Sequence, residues 1–517
     1  MPVDTKTLIR RALTVLSLST AAVLSSRADY PVEFDVSLTG NAGSGTFAPY
    51  YLMSNNNGRI TSPGNALIDA GLYKKHRVTS RFSYTWGIEV IGGYSTGVDY
   101  TRYDAGTETW SNNRQHPPRA WIQQLYGRVD YRSLFLSAGL SDSRSALLND
   151  KLSSGDLTEG SNTRGIPQVR VGFNDFQPIP FTNGWVEIQG EISYGKMLDN
   201  EWTKSHANLY NSHVNLGALY SYKRCYFRTK SSQPLTLTLG MQVAAIFGGT
   251  TTYYRNGEIY MVTVNPKGVK EFFKMLIPTS GDEGYYLGNT LGSWDILFTY
   301  RIPGNRGTVK GYLQKPWETG SGIGFLNGCD GLWGLEYAAP SHGYIDGIVA
   351  EYFDFTNQSG PIHFDPSDLG DSRFPDHTDG RDNYYNNDFY NSYVYHGMSL
   401  GTPILRSVIY NTDGFMRLTD NRIRGFHIGV SGTLSSRLGY RVLGGYRRSW
   451  GTPDIPRTHV ADDTSLMVEG VYKHTCRRGN LTVSAAIAMD RGKLLGNTFG
   501  ALVSVKYNTS FNIGCKR

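Results

Sequence analysis

From residue 32 onward the chain repeats short segments in which every second residue is apolar. Residues 32–39 and 80–92 are clear examples, and the same period of two returns as late as residues 499–507. Because successive side chains of a strand point to opposite faces, each segment has one apolar and one polar face. After residue 28 no window approaches the roughly 20 apolar residues of a membrane-spanning helix. The pattern predicts an all-β chain with many amphipathic strands.

The alternation predicts about eighteen strands, an even number as in single-chain outer-membrane barrels. The predicted strands are residues 32–39, 66–74, 80–92, 120–130, 133–140, 168–174, 185–194, 221–229, 235–246, 293–301, 308–315, 332–338, 344–355, 423–434, 438–448, 465–473, 480–489 and 498–507. The stretch 212–220 also alternates and is assigned to a loop. The fold predicted from this list is a transmembrane antiparallel outer-membrane β-barrel.

Connection lengths provide an independent check on the strand count. Outer-membrane barrels have short periplasmic turns and long extracellular loops, so long and short connections must alternate if no strand is missed. They do so along the whole chain, from the long 41–65 and the short 75–79 to the short 474–479. The two longest connections, 247–292 and 356–422, are long enough to fold across or into the mouth. We therefore expect long extracellular loops, with short helices, to occlude the lumen.

Charged residues on one strand face fix which side of the wall is inward, because a charge facing lipid costs about 2–4 kcal/mol. The predicted inward set is Glu33, Asp35, Glu89, Gln124, Arg128, Asp130, Arg170, Glu187, Gln189, Glu191, Asp295, Arg301, Lys310, Arg441 and Glu469. In the first of the two longest loops, Val269, Phe272, Phe273 and Leu276 have helical spacing. This spacing predicts a short amphipathic helix that packs at the barrel mouth or, alternatively, lies on the membrane surface.

The first residues have the pattern of a secretion signal. Lys6, Arg10 and Arg11 precede an apolar run, and small residues follow at the cleavage positions, so we predict a signal peptide over 1–28. The composition of Gly 60, Tyr 35, Phe 22 and Trp 9, with 18% charged residues, does not change along the chain. We expect residues 29–517 to form a single outer-membrane β-barrel domain.

Charge and cysteines add little to this interpretation. The net charge of +7 comes without a basic run beyond the signal peptide, so nucleic acid is not an expected partner. Cys476 and Cys515 both fall at the short-turn end and either pair or stay free. Cys225 and Cys329 are interpreted as isolated small apolar residues.

Several loop and strand motifs resemble one family over nearly the whole mature chain and in the same order. They are residues 47–52 (FAPYYL), 120–126 (AWIQQLY), 195–196 (GK), 247–250 (FGGT), 287–294 (LGNTLGSW) and 354–360 (DFTNQSG). The chain thereby resembles the Wzi family of capsule-assembly outer-membrane proteins. The resemblance implies an occluded barrel of eighteen strands that acts at the surface of a Gram-negative cell as a lectin without enzymatic activity.

The same resemblance implies the partners. A lectin of this kind helps attach or organise capsular polysaccharide, and its loops face the cell exterior. Outer-membrane lipid, lipopolysaccharide and the barrel-assembly machinery are the other expected partners. No cofactor is expected.

Sugars are bound by aromatic faces and by planar polar side chains. The predicted outer loops hold both kinds, and the predicted polysaccharide-binding residues are Trp110, Trp202, Trp317, Arg381, Asp382, Tyr384 and Tyr385. Tyr395 and His396 are further candidates. The alternative is that such aromatic residues only pack the lid or form the aromatic girdle, and for any single residue this alternative is favoured.

Other functions have less support. The aspartates between 365 and 388 suggest calcium, but their spacing does not match a calcium-binding loop, so no metal site is predicted. Glu89, Glu187 and Glu191 suggest a glycosidase pair, yet acidic lumen walls are ordinary and no hydrolase motif is present. The main alternative is a porin or diffusion channel for small polar solutes, and a purely structural scaffold is a third.

Overall fold

The computed structural model describes residues 30–74, 81–210, 212–275, 288–360, 363–364, 378–379 and 382–513. These residues form a closed antiparallel barrel of 18 strands. In chain order the barrel strands are β1 (Tyr30–Ser44), β2 (Asn65–Lys74), β3 (Phe82–Ser95), β4 (Ala120–Tyr131), β5 (Leu134–Leu140), β6 (Gln168–Phe173), β7 (Val186–Lys196), β8 (Leu219–Thr229), β9 (Leu235–Phe247), β10 (Gly288–Arg301), β11 (Thr308–Trp317), β12 (Gly331–Ala338), β13 (Gly347–Asp354), β14 (Ile423–Ser435), β15 (Leu438–Gly451), β16 (Pro456–Cys476), β17 (Gly479–Gly492) and β18 (Thr498–Ile513).

Each barrel strand pairs with the next, and β1 pairs with β18 from Tyr30–Ile513 to Ser44–Phe499, which closes the cylinder. The segment Gln177–Pro178 continues β6 along the edge of β7. Every predicted strand overlaps an observed one. Long and short connections alternate as predicted as far as β15, but the connections 452–455 and 493–497, which were predicted to be long, are short. The barrel therefore has a long-loop end and a short-turn end.

The predicted sidedness of the wall is confirmed. Outward-facing Leu38 and Leu136 are 60% and 53% exposed, as expected of side chains that contact lipid. Inward charges pair across neighbouring strands or with loops. The main ion pairs are Arg59–Glu89, Arg59–Asp142, Arg170–Glu191, Arg224–Glu191, Arg228–Glu187, Lys310–Glu336, Arg441–Glu469 and Lys506–Asp35. Pairing reduces the cost of holding these charges inside the wall.

Two segments fill the lumen at the long-loop end, and together we call them the plug: residues 146–165 and 382–421. All residues from 152 to 163 are buried, as are most residues from 382 to 421. Leu157, Tyr393 and Val408 belong to one apolar cluster with the inward wall residues Leu332 and Phe353. The predicted occlusion of the lumen by long loops is confirmed.

Within the residues that the structure describes, four short helices lie in the long connections: α1 (Tyr50–Met53), α2 (Asn200–His206), α3 (Val269–Lys274) and α4 (Gly320–Ile323). A 3-10 turn forms at Val408–Tyr410. Additional loop strands are Val98–Asp104, Thr109–Gln115, His213–Leu216, Thr250–Arg255, Glu258–Val264, His363–Phe364, Thr378–Asp379, Val394–Tyr395 and Met398–Ser399. In the described part of the chain, no helix is long and apolar enough to cross a membrane.

Helix α3 is the amphipathic helix that the spacing of Val269, Phe272 and Phe273 predicts. The Phe272 ring lies 4.3 Å from the ring of Tyr194, which points outward from β7. The Lys223 ammonium donates a hydrogen bond to the carbonyl of Met275 at the end of this helix. The helix therefore lies against the outer wall beside the mouth, while Phe273 is 60% exposed. Leu276 lies outside the described residues.

Other expectations need adjustment. Strand β16 begins at Pro456 rather than 465, so most of the predicted loop 449–464 is strand. Part of the stretch 212–220 forms the loop strand His213–Leu216, and its last residues belong to β8. Cys225 and Cys329 are exposed rather than packed. The signal peptide, Cys515, Arg381 and most of the aspartates between 365 and 388 lie outside the described residues.

Candidate functional site

A cluster of three aromatic rings lies on the surface of the long-loop end. Trp110 projects from the hairpin formed by Val98–Asp104 and Thr109–Gln115, and it is 50% exposed. Its ring centroid lies 5.1 Å from that of Tyr103 and 5.2 Å from that of Tyr210, and the two tyrosines are 4.8 Å apart. We call these residues the aromatic triad.

The hairpin is held to the rest of the loop layer by hydrogen bonds. The Thr101 amide donates to the carbonyl of Thr412 at 2.8 Å, and the Tyr103 amide donates to that of Asn208 at 2.9 Å. The Asn113 side chain donates to the carbonyl of Ser205 at 2.6 Å, just before the end of α2. The aromatic triad is therefore presented on a fixed support.

An exposed ion pair lies on the same face of the hairpin as Tyr103 and Trp110. It joins Arg114 and Asp99 at 3.1 Å. An aromatic face with a guanidinium and a carboxylate on the same surface offers the groups that a sugar ring and its hydroxyls require. The triad is therefore chemically suited to bind an oligosaccharide.

Trp202 lies on α2, half-buried between the hairpin and the plug. Its ring is stacked on that of His206 at 4.5 Å and 16°, and the His206 ring meets the edge of Tyr100 at 4.6 Å. Burial lowers the pKa of His206 to about 3, so this ring is neutral near pH 7. Trp202 also lines a small pocket together with Arg164 and His396.

The remaining described candidates, Trp317, Asp382, Tyr384 and Tyr385, are buried, with exposed fractions of 1%, 2%, 1% and 4%. Trp317 packs against Gly292 and Gly322, where a Cβ atom would approach it within 3 Å. Thr319 donates its hydroxyl to Asp382 at 2.6 Å. These side chains hold the loops together, and their faces are turned away from solvent. Arg381 lies outside the described residues.

Hydrogen bonds of the two buried tyrosines show this supporting role. The Tyr384 hydroxyl donates to Asp330 at 3.0 Å and accepts from the Asn327 amide at 2.9 Å. The Tyr385 hydroxyl donates to the carbonyl of Leu157 and accepts from the Thr402 amide at 3.1 Å. Both segments of the plug are thereby joined.

Buried carboxyl groups accompany this network. Glu318 accepts a hydrogen bond from the Tyr385 amide, and burial raises its pKa well above the ordinary value. Burial also raises the pKa of Asp330 to about 6, although the Gln358 amide donates to it at 2.8 Å. Tyr395 and His396, the further candidates, are neighbours within the plug, and burial together with Arg164 lowers the pKa of His396 to about 3.

Below the plug a charged cavity of 1360 Å³ extends towards the short-turn end. Tyr51 and Ser153 line it beside the plug, and Glu33, Asn480 and Asn508 line it near the short turns. The three glutamates considered for hydrolysis are used in ion pairs: Glu89 with Arg59 at 2.7 Å, Glu187 with Arg228 at 2.6 Å and Glu191 with Arg170 at 2.9 Å. Within the described ranges, no group of three His, Cys, Asp or Glu is placed to hold a metal ion.

Tyr103, Tyr210, Arg164 and the hairpin itself were not identified from the sequence. The hairpin strand Thr109–Gln115 is mostly exposed, and its sequence TWSNNRQ has no apolar alternation. One feature of the sequence could have predicted the hairpin. The segment Asp104 to Thr107 has turn residues and lies between two groups of aromatic residues.

No protein-family model and no curated protein matches this sequence. The fold is similar to the solved structure of Wzi of Escherichia coli, with a TM-score of 0.53 and 12% identity over 96% of this chain and 87% of that one. Wzi is described as an outer membrane protein involved in group 1 capsule assembly and as a carbohydrate-binding β-barrel. The resemblance inferred from the motifs is thus confirmed at the level of the fold.

Two further solved structures also match. OccAB2 of Acinetobacter baumannii has a TM-score of 0.46 and 8% identity over 93% of this chain and 98% of that one. OccK5 (OpdH) of Pseudomonas aeruginosa has a TM-score of 0.43 and 8% identity over the same shares, 93% and 98%.

Proposed function

We propose that this protein is a non-enzymatic lectin of the outer membrane, whose long loops face the cell exterior and bind capsular polysaccharide. In this role it helps attach the capsule to the cell or organise it there. The proposal agrees with the carbohydrate binding and capsule assembly described for Wzi, whose fold is similar.

The exposed aromatic triad is the observation that carries the proposal. Exposed apolar area of an aromatic ring is unfavourable in water. Trp110 is 50% exposed and forms one surface cluster with Tyr103 and Tyr210. A sugar stacked on this ring would remove that area from water.

The polysaccharide test compares two tryptophans of similar exposure at opposite ends of the barrel. Trp110 is 50% exposed, and Trp185, in the short connection between β6 and β7, is 55% exposed. We expect Trp110→Ala to weaken binding of the refolded full chain to capsular polysaccharide from its own source about tenfold, and Trp185→Ala to leave it unchanged. If neither the parent protein nor the control binds the polysaccharide, the lectin proposal is wrong.

The orientation is tested separately on whole cells. Cysteine at Thr107, in the hairpin turn, is expected to react with a membrane-impermeant maleimide, and cysteine at Asn305, in the turn between β10 and β11, is expected to react only after the outer membrane is opened. Both variants are made with the native cysteines replaced by serine. The reverse labelling pattern would contradict the proposed orientation.

A diffusion channel is the second candidate, and the 1360 Å³ cavity with its charged walls favours it. The buried plug above the cavity argues against an open path. Recordings in planar bilayers separate the two functions: the lectin proposal predicts no steady conductance, and a channel predicts steady conductance. A scaffold would show neither conductance nor glycan binding.

A further inference from the structure

A small pocket lies at the rim of the barrel between the hairpin, the plug and α2. Its lining includes Gln115, His116, Arg164, Trp202 and His396. His116 and Pro118 are exposed, so the pocket has an open side towards solvent. The pocket has a volume of 70 Å³. One water needs roughly 10–15 Å³ of such a volume, so the pocket has room for about five waters, or about one sugar ring.

Arg164 differs from the ion-paired arginines inside the barrel. Arg59, Arg170 and Arg224 each have a carboxylate oxygen no more than 3.2 Å from a guanidinium nitrogen. Arg164 has none within ion-pair distance among the described residues, and its guanidinium lies 4.3 Å from the ring of Trp121. Burial lowers its pKa to about 10, so the group stays charged at neutral pH. A partly buried cation without an anion is costly, and a ligand carboxylate would offset that cost.

Gln115 provides a second, independent observation in the same pocket. Its Nε2 atom is buried and has no hydrogen-bond acceptor among the described residues. A buried donor without a partner is unfavourable, because it has lost its hydrogen bonds to water. A ligand that brought oxygen atoms into the pocket would satisfy it.

Trp202 forms an aromatic wall of the pocket. Its orientation is fixed by the stack on His206 at 4.5 Å and by close packing against Gly397, where a Cβ atom would lie 2.2 Å from the indole. The pocket thus combines a planar cation, an amide donor and an aromatic face. A carboxylate binds a guanidinium through two parallel hydrogen bonds, and a sugar ring packs on an aromatic face.

We propose that this pocket binds a uronic acid residue of an acidic polysaccharide, with its carboxylate on Arg164 and Gln115 and its ring against Trp202. This inference rests on the lectin function proposed above and adds the class of glycan. The aromatic triad lies on the other face of the same hairpin and would hold further sugar residues of the chain.

The test measures binding of two matched probes to the folded full-length protein. One probe is a tetrasaccharide that contains glucuronic acid, and the other is the same tetrasaccharide with its carboxyl groups reduced to alcohols. We expect the acidic probe to bind at least tenfold more tightly than the reduced probe. Equal binding of the two probes would overturn the proposal, and this comparison needs no variant.

Variants then test whether the preference for the acidic tetrasaccharide depends on this pocket. Arg164→Gln is expected to abolish the difference between the probes, and Arg164→Lys, which keeps the charge but not the paired geometry, to retain part of it. Arg119→Gln, an exposed arginine at the same rim that does not line the pocket, is the control and is expected to keep the full preference. Folding of each variant is checked by its heat-modifiable migration on gels.

The outcomes separate the two proposals. If capsular polysaccharide binds and depends on Trp110, but Arg164→Gln keeps the preference for the acidic probe, only the uronic acid pocket is overturned. If Arg164→Gln impairs binding of purified lipopolysaccharide and not of the acidic tetrasaccharide, the pocket takes a lipid phosphate and the inference is wrong. Loss of the acidic preference in Arg164→Gln alone supports it.

Discussion

The hydroxyl of Tyr51, in helix α1, lies 2.7 Å from Nδ1 of His427 on the inner wall of β14. The other ring nitrogen of His427, Nε2, lies 2.7 Å from the carbonyl oxygen of Leu152. Because a carbonyl can only accept, Nε2 carries the proton and Nδ1 accepts from Tyr51. One histidine thereby joins the first long loop, the barrel wall and the plug.

Tyr51→Phe removes this hydrogen bond and leaves a buried Nδ1 without its donor. We expect the variant to lose about 1–3 kcal/mol of stability, because a buried acceptor without a partner retains its desolvation cost. The measurement is the midpoint of thermal unfolding in detergent, followed by heat-modifiable migration. Tyr344→Phe, at a residue that is 77% exposed in a short turn, is the matched control. Equal midpoints for the two variants would contradict the role given to His427.

The barrel could be predicted from the sequence because lipid and lumen impose opposite demands on alternate residues. Leu38 and Glu33 satisfy those demands in the same strand, and the pattern repeats in every strand. Above the membrane no lipid is present, so the first residues of β16, from Pro456 to Val460, are all exposed and have no apolar alternation. This is why the predicted start of β16 lies nine residues too late and why the loop hairpins were missed.

The candidate site could be predicted only in part, for a similar reason. Trp110 and Trp202 were found because tryptophan in a predicted loop is conspicuous. Trp317, Tyr384 and Tyr385 were equally conspicuous, but their burial depends on how two distant loops pack in the lumen, which no local pattern encodes. Arg164 is one of many arginines in the sequence, and only the structure shows that no carboxylate lies beside it among the described residues.

Arg170 connects the plug to the wall by charge. Its guanidinium pairs with Glu191 of β7 at 2.9 Å and with Glu159 of the plug. Arg170→Ala would leave two buried carboxylates without this partner, and we expect a loss of about 3–5 kcal/mol. Lys204→Ala breaks an exposed pair with Glu201 and is expected to cost less than about 1 kcal/mol.

Loss of Arg170 should also loosen the plug, because Glu159 lies inside it. We therefore expect brief conductance bursts from Arg170→Ala in planar bilayers and none from Lys204→Ala. A silent Arg170→Ala variant with normal thermal stability would show that this ion pair does not hold the plug.

Helix α3 is expected to lie in the membrane interface. Outward-facing Ala245 and Phe247 of β9 are buried together with Met275, whereas Leu235 and Leu239 lower on the same face are exposed. Phe273 on this helix is 60% exposed next to that wall. A polarity-sensitive fluorophore on cysteine at Phe273 should shift to the blue in bilayers and be quenched by spin-labelled lipid. The same fluorophore at Thr107 serves as the water-exposed control, and identical spectra at the two positions would contradict the placement.

His206 and His396 are expected to make the long loops less stable as the pH is lowered from 6 to 4. Burial lowers the pKa of His206 to about 3, and burial with Arg164 lowers that of His396 to about 3. These histidines stabilise the folded loops above their unfolded pKa of about 6.5, and this contribution is lost as the pH falls towards 3. Asp199 acts in the opposite direction, because burial raises its pKa to about 6, so its contribution is present at low pH and lost as the pH rises through 6.

Between pH 6 and 4 the two histidines therefore add two protons to the unfolded loops and none to the folded loops. Replacing both His206 and His396 with glutamine removes these two protons from the unfolded state, so the slope of stability against pH is expected to fall by about 2.7 kcal/mol for each pH unit relative to the parent. Rates of limited proteolysis of the loops at pH 4, 5 and 6 measure it, and His342→Gln, 88% exposed in a short turn, is the control that should keep the parent slope. An unchanged slope in the double variant would show that these two rings are protonated in the folded loops.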